Sequence, residues 1–246
     1  MTLDHEAHVS AMKDLHHMLD WECGPDGSKR IDAARDKGVD LNGIFPETGE
    51  ALLRVAARRR RVEVVRHLSQ VGVDLDIQSR GGKTALMHAR RRGFEDVAML
   101  LDAAGASFAP TPADELAIAL SALDLEAAER IVASHPDCAR TGNPEEDRLL
   151  ADMTGRRESG PVELLLDSGA PLDVPGLDGG TPLHCAAWFG QLHHVRRLLE
   201  VGAPLDVWDH CHHATPLQAP AHMDIMCWYC VPPRMGNDSI ISIYSV

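Results

Sequence analysis

The chain has 246 residues, of which 44% are hydrophobic and 25% charged, which is apolar enough for one or two folded domains and too apolar for wholesale disorder. Its 24 basic and 37 acidic residues leave a net charge of −13, which argues against a dedicated binder of nucleic acid or of anionic membranes. The opening MTLDHEAHVS has neither a basic nor an apolar leader, and no stretch of about 18 apolar residues suggests a membrane span. The six cysteines then read as thiols or metal ligands in a reducing, cytoplasmic setting.

Residues 1 to 42 read as a modified first repeat that caps an array. A helix carrying Leu15, Met18 and Leu19 precedes the turn Gly24-Pro25-Asp26-Gly27, and a second helix runs from Ser28 to Gly38. From there the chain repeats itself. Similar blocks span Ala51 to Gln78, Gly81 to Ser107 and Gly179 to Asp209. A closing glycine recurs at Gly38, Gly72, Gly105, Gly169 and Gly202, with His135 in the same register, at intervals of 34, 33, 30, 34 and 33. Helix starts are expected to match, at Ala51, Thr84, Asp114, Arg148, Thr181 and Thr215.

Each block has a physical reading. Threonine can cap a helix, and proline suits its first turn, where the missing N–H is not needed. Two short helices follow, and a glycine in the left-handed conformation ends the second. One such hairpin cannot cover its own apolar face, but stacked hairpins can. The expected stacking residues are Leu53, Val65, Leu68, Leu86, Leu100, Leu101, Leu116, Ile131, Val132, Leu150, Leu165, Leu166, Leu183, Leu198 and Leu199.

The motif Thr181-Pro182-Leu183-His184, with Ala186-Ala187, Gly190, Leu198-Leu199 and Gly202-Ala203, resembles the ankyrin repeat family. The resemblance covers roughly residues 30 to 218 and implies an all-α fold. That fold is an α-solenoid of stacked helix-turn-helix repeats with projecting β-turns and a concave protein-binding groove. The array would occupy residues 43–218, with about five full repeats and a partial one. The units at 114–138 and 148–174 depart from the pattern: Asp114 and Arg148 replace threonine, and Leu123 replaces the mid-unit glycine. Residues 219–246 form an atypical tail without leucine and with only Asp224, Arg234 and Asp238 charged.

Two surfaces invite function. By register, Arg58, Arg59, Arg91, Arg92, Gly155, Arg156, Trp188 and Phe189 fall on the groove side of the first helices. Arg80, Lys83, Leu177, Asp178, Cys211 and His212 fall at the turn tips. Residues 51–100 hold 11 basic and five acidic side chains, so a basic half-groove lies on an acidic body. This predicts capture of a partner protein or acidic peptide, steered by Arg58, Arg59, Arg80, Arg91 and Arg92 and anchored by Trp188, Phe189 and Trp208. Nucleic acid and membrane are not expected partners. A poorly capped C-terminal end would favour a homodimer.

The second surface is a cluster of His210, Cys211, His212 and His213, followed by Cys227 and Cys230 in a Cys-x-x-Cys arrangement. Thirteen residues separate His213 from Cys227, which suits a small zinc site. The alternative to a binding module is therefore a zinc metalloprotein or a metal-dependent hydrolase, with Asp209 or Asp224 as general base. The opposing reading of this cluster is a histidine-rich turn with two unligated thiols. No G-x-S-x-G, Walker loop, G-x-G-x-x-G or H-E-x-x-H is present. Abundant Arg, Ala, Leu and Gly with few Lys fit a GC-rich bacterial genome.

Overall fold

The computed structural model describes residues 5–22, 26–177, 179–209 and 213–218. Their secondary structure is almost entirely helical, in paired short helices. They divide into two compact units. Unit 1 runs to Asp147 and includes Asp167–Ala170; unit 2 holds Arg148–Leu166 and the chain from Pro171.

Unit 1 begins with α1 (His5–His17), a π-helical turn (Met18–Glu22) and α2 (Gly27–Asp36). A two-stranded hairpin follows, β1 (Ile44–Phe45) and β2 (Glu50–Ala51), with Ile44 opposite Ala51 and Phe45 opposite Glu50. Three helix pairs come next: α3 (Leu52–Arg58) with α4 (Val62–Gln70), α5 (Ala85–Arg92) with α6 (Glu95–Ala103), and α7 (Pro112–Ser121) with α8 (Leu125–Ser134). A 3-10 turn (Pro136–Ala139) and the single-turn helix α9 (Pro144–Asp147) complete it. First helices pack on first helices, α3 on α5 and α5 on α7, while α2, α4 and α6 stack behind them.

The apolar face each hairpin cannot cover alone is covered by the next. One core runs from Met12, Leu15 and Leu19 through Leu52, Val55 and Leu68 to Leu86 and Leu101. The N-terminal helices thus share their core with the repeats that follow. Unit 2 repeats the plan with α10 (Leu149–Arg156), α11 (Ser159–Asp167), α12 (Pro182–Trp188) and α13 (Leu192–Glu200), α10 packing on α12.

Most expected stacking residues are buried, Leu53, Val65, Leu68, Leu86, Leu101, Leu116, Leu150, Leu165, Leu166, Leu183 and Leu198 among them. Leu100, Ile131 and Val132 are only half-buried, and Leu199 is exposed. The closing glycines at 38, 72, 105, 169 and 202 all have φ between 74° and 91°, the left-handed geometry that ends a helix. His135 does not: its φ is −136°, and the chain passes into the 3-10 turn instead.

The third repeat of unit 1 corrects the expected register. Its helix starts at Thr111-Pro112, not at Asp114. Thr111 is the cap, Pro112 the first residue, and Asp114 closes a capping box from the third helical position. The 106–110 connection carries no β-turn of the kind found at 79–83, where the Ser79 N–H donates to the Lys83 carbonyl.

Candidate functional site

The most unusual arrangement of polar groups in unit 1 forms where that turn is missing. The sequence Asn143-Pro144-Glu145-Glu146-Asp147 is a local helix start. The Asn143 side chain accepts from the Glu145 N–H at 3.1 Å, and Pro144 stands first in the helix. Asp147 turns back to accept from the N–H groups of Thr141 (2.7 Å) and Gly142 (3.0 Å). The segment is therefore a preformed strap, and it carries its two glutamates to α3 and α5.

Arg54, the third residue of α3, reaches the strap from a side chain only 3% exposed. It donates to the Lys83 carbonyl at 2.7 Å, to Glu145 at 2.8 Å and to Glu50 at 3.3 Å. The Lys83 ammonium, 5% exposed, lies between Asp114 at 2.8 Å and Glu146. Arg91 donates to Asp114 at 2.8 Å, to the Ala113 carbonyl at 3.2 Å and to the Glu145 carbonyl at 3.2 Å. Asn143 ties the strap down by donating to the Gly81 carbonyl at 2.9 Å. Gly81 permits this approach, because a Cβ there would lie 2.6–2.8 Å from the Glu145 side chain. Burial pushes the Asp114 carboxyl up, but Lys83, the Thr111 N–H and Arg91 outweigh it and hold it below the ordinary range. Glu146 is likewise lowered, with burial outweighed by Lys83, Thr141 and Thr111.

The basic surplus of residues 51–100 is therefore met inside the molecule. Six carboxylates from outside that window pair with its basic side chains: Asp20, Glu50, Asp102, Asp114, Glu145 and Glu146. This revises the reading of the groove arginines as solvent-facing charges. Arg58 binds Asp20 at 2.7 Å and Glu50 at 3.2 Å; Arg59 binds Asp20 at 2.9 Å and lies over the Trp21 ring. Arg91 is buried, for the reason just given. Arg92 is half-buried over the Phe94 ring. Arg80 alone of the five is exposed, its side chain packed over Gly49 and donating to the Pro46 carbonyl.

In unit 2, Trp188 covers the base of its own turn. A Cβ on Gly180 would meet the Trp188 ring at 2.5–2.7 Å, and the His184 ring is 5.7 Å away. Phe189 is half-buried beneath the Arg157 guanidinium at 4.6 Å. Both aromatics are thus engaged within unit 2, Trp188 by its own turn and Phe189 by the preceding repeat, whereas Trp208 is 59% exposed. His184 is wholly buried: its Nδ1 accepts from the Thr181 N–H at 3.2 Å, so its Nε2 donates to the Ala214 carbonyl at 3.0 Å. Asp209, a candidate general base in sequence, accepts from the Ala214 N–H at 2.7 Å and is buried. That carboxylate is engaged by the Ala214 backbone.

Of the expected metal ligands, His210, Cys211, His212, Cys227 and Cys230 lie outside the described residues; His213 is exposed, with φ 50°. Among the described residues no group of three or more His, Cys, Asp or Glu is placed to hold a metal. Nor, among them, is any helix long and apolar enough to cross a membrane.

Arg54, Asp114 and Glu145-Glu146 were not singled out in the sequence as site residues. The signal was present in Asn143-Pro144, a cap followed by a first-turn proline, which announces a helix where the repeat pattern expects a turn.

Capped helix pairs of this length, closed by left-handed glycines and stacked first helix on first helix, define a helical repeat protein of the all-α solenoid class. Residues 158–199 match the family described as ankyrin repeats (many copies). The human SH3 and multiple ankyrin repeat domains protein 2 is 31% identical over 179 residues, which is 70% of this chain. The chain spans only 10% of that relative's length. Two solved structures are also similar. The ankyrin repeat domain of Bcl-3 is 22% identical, covering 83% of this chain and 92% of its own, with a TM-score of 0.38. The human ASB11 ankyrin repeat domain is 19% identical, covering 83% and 90%, with a TM-score of 0.37. Residues 158–199 thus belong to the ankyrin repeat family, and the rest of the array is built on the same repeat.

Proposed function

We propose that the chain is a protein-binding module that presents the turn tips and first helices of its repeats as a preformed surface. The observation that carries this reading is Trp208, 59% exposed next to the buried Asp209, with Leu205 and Leu217 exposed in the same stretch of unit 2. A large amphipathic ring held out to solvent costs little entropy on binding and is the usual kind of interface anchor. Asp209, next to Trp208 in the chain, accepts from the Ala214 N–H, and the His184 side chain donates to the Ala214 carbonyl. An anchor whose chain neighbour is held in this way carries a lower ordering cost on association.

Partners are then proteins or peptides with an apolar side chain to set against Trp208. Peptides selected by display on the full chain should bind the wild type and lose at least about tenfold in affinity in Trp208→Ala, with helicity unchanged. Unchanged affinity in that variant would remove Trp208 as the anchor. The metalloprotein reading rests on residues outside the described ones, and zinc content of the purified chain before and after chelation tests it directly.

A further inference from the structure

We propose that Arg54, Lys83 and Arg91 form a docking cradle for an acidic peptide segment of a partner protein, occupied in this structure by the chain's own residues 143–147. The proposal rests on the reading of the chain as a protein-binding module and supplies the chemistry of one partner segment. Three observations carry it.

The first is that the cradle is built from two successive repeats of unit 1. Arg54 comes from α3, Lys83 from the turn before α5, and Arg91 from the end of α5. Its strap ligands come from residues 54 to 91 positions further on. The strap meets this region through side-chain ion pairs and hydrogen bonds of Arg54, Lys83, Arg91 and Asn143, through the Thr111 hydroxyl donating to Glu146 at 3.1 Å, and through the packing of Glu145 on Gly81.

The second is that the strap keeps its own shape. Asn143 caps it, and Asp147 closes it onto Thr141 and Gly142. Its turn is closed by hydrogen bonds of its own, and a segment of the same chemistry on another chain can present the same two carboxylates.

The third is that the cradle is charge-selective. With the strap lifted, Lys83 and Arg91 share one remaining carboxylate, Asp114, and Arg54 keeps only a share of Glu50, which also binds Arg58. Three cations then face two carboxylates. A cation surplus that the incoming segment itself covers from water favours an anion. The geometry asks for two consecutive glutamates, the first for Arg54 and the second for Lys83, with the backbone carbonyls of both turned to Arg91.

An external peptide competes with a tethered copy whose effective concentration is in the millimolar range for a short connection. The wild type should therefore bind weakly, and a chain with its strap lifted should bind well. Two substitutions lift it by different means. Gly81→Ala places a Cβ against Glu145 and changes no charge. Glu145→Gln with Glu146→Gln leaves the shape and removes the charges.

The probe is a labelled peptide of residues 141–147, Thr-Gly-Asn-Pro-Glu-Glu-Asp, read by fluorescence anisotropy against the full-length chain. Both variants should bind it at least about tenfold tighter than the wild type. A peptide with Gln-Gln in place of Glu-Glu should bind neither. If folded variants gain nothing, or take both peptides alike, the proposal fails. If Gly81→Ala and the double variant both lose their helical circular dichroism, the strap is part of the folding core and the proposal fails as well. The result separates from that of Trp208, which lies in unit 2. Loss of the Trp208 anchor with a tenfold gain here refutes the anchor alone, and the reverse pattern refutes the cradle alone.

Discussion

Between the two helices of each repeat the backbone crosses the left-handed region at one residue: Arg60 (φ 51°), Gly93 (67°), Leu123 (60°), Arg157 (64°) and Gly190 (62°). Two of the five are glycine, for which this conformation has no steric cost, whereas a Cβ there costs about 1–2 kcal/mol. Leu123 is the clearest liability, because it is exposed and no packing repays the strain. Arg60 differs, since its guanidinium binds Asp96 at 3.0 Å and lies over Phe94. Leu123→Gly should raise stability by about 0.5–1 kcal/mol after the added freedom of glycine in the unfolded chain is subtracted. Chemical denaturation of the two proteins checks it, and a destabilised Leu123→Gly would show that the leucine makes an unrecognised contact. Asp114 is the opposite case. It is nearly inaccessible and holds Lys83, Arg91 and the Thr111 N–H at once. Asp114→Ala leaves two buried cations short of a partner and should cost about 3–5 kcal/mol. A shift in urea midpoint worth less than about 1 kcal/mol would mean that Glu146 alone can neutralise the pair.

At the scale of the element, turn and helix are fitted to each other. Trp188, at the end of α12, lies over Gly180, which immediately precedes the cap Thr181, so the ring fixes how the turn enters the helix. Gly180→Ala would drive a methyl into the ring and should cost about 1–3 kcal/mol by overpacking. Thermal denaturation followed by tryptophan fluorescence reads it, and a neutral effect would show that the ring swings aside without loss. The same elements show how far sequence reasoning reached. The period of about 33, the Thr-Pro openings and the closing glycines are local signals, and α3, α5, α12 and their partners stand where those signals put them. The register slipped at Thr111 because a fixed period assumes a turn of fixed length, and the 106–110 connection has no such turn. Groove arginines were legible as charges but not as ion pairs. Their carboxylate partners lie up to 39 residues away, at Asp20, Glu50 and Asp114, and no helical period encodes contacts of that span. Trp188 was legible as an aromatic on the right face, but its half-buried seat on Gly180 depends on the path of the turn.

For the molecule as a whole, these local facts set the response to acid. Burial lowers the pKa of His16 below its ordinary 6.5, with Asp20 and Glu50 opposing and Arg58 assisting; burial and His193 lower that of His194, with Glu163 opposing. Asp114 and Glu146 lie below their ordinary 3.8 and 4.5 for the reasons given, and Asp76 lies below 3.8 because Ser107 donates to it from both its hydroxyl and its N–H. In every case the folded chain holds fewer protons than the unfolded one, so stability rises with pH across each titration. The two histidines contribute stability that is fully present above about pH 6.5 and fades as pH falls below it. The carboxylates contribute stability that is present above about pH 4.5 and is lost as pH falls through their lowered folded values. Acid should therefore weaken the chain in two stages, one opening below about pH 6.5 and a larger one below about pH 4.5. Replacing both histidines, His16→Gln with His194→Gln, should remove the upper stage and leave the lower. Salt should move the lower stage little, because Lys83, Asp114 and Arg91 are shielded from mobile ions. Denaturant midpoints between pH 3 and 8, at low and high salt, measure both stages. A single stage in the wild type, or an upper stage that survives the double replacement, would remove the buried histidines from the account and leave acid sensitivity to the carboxylates alone.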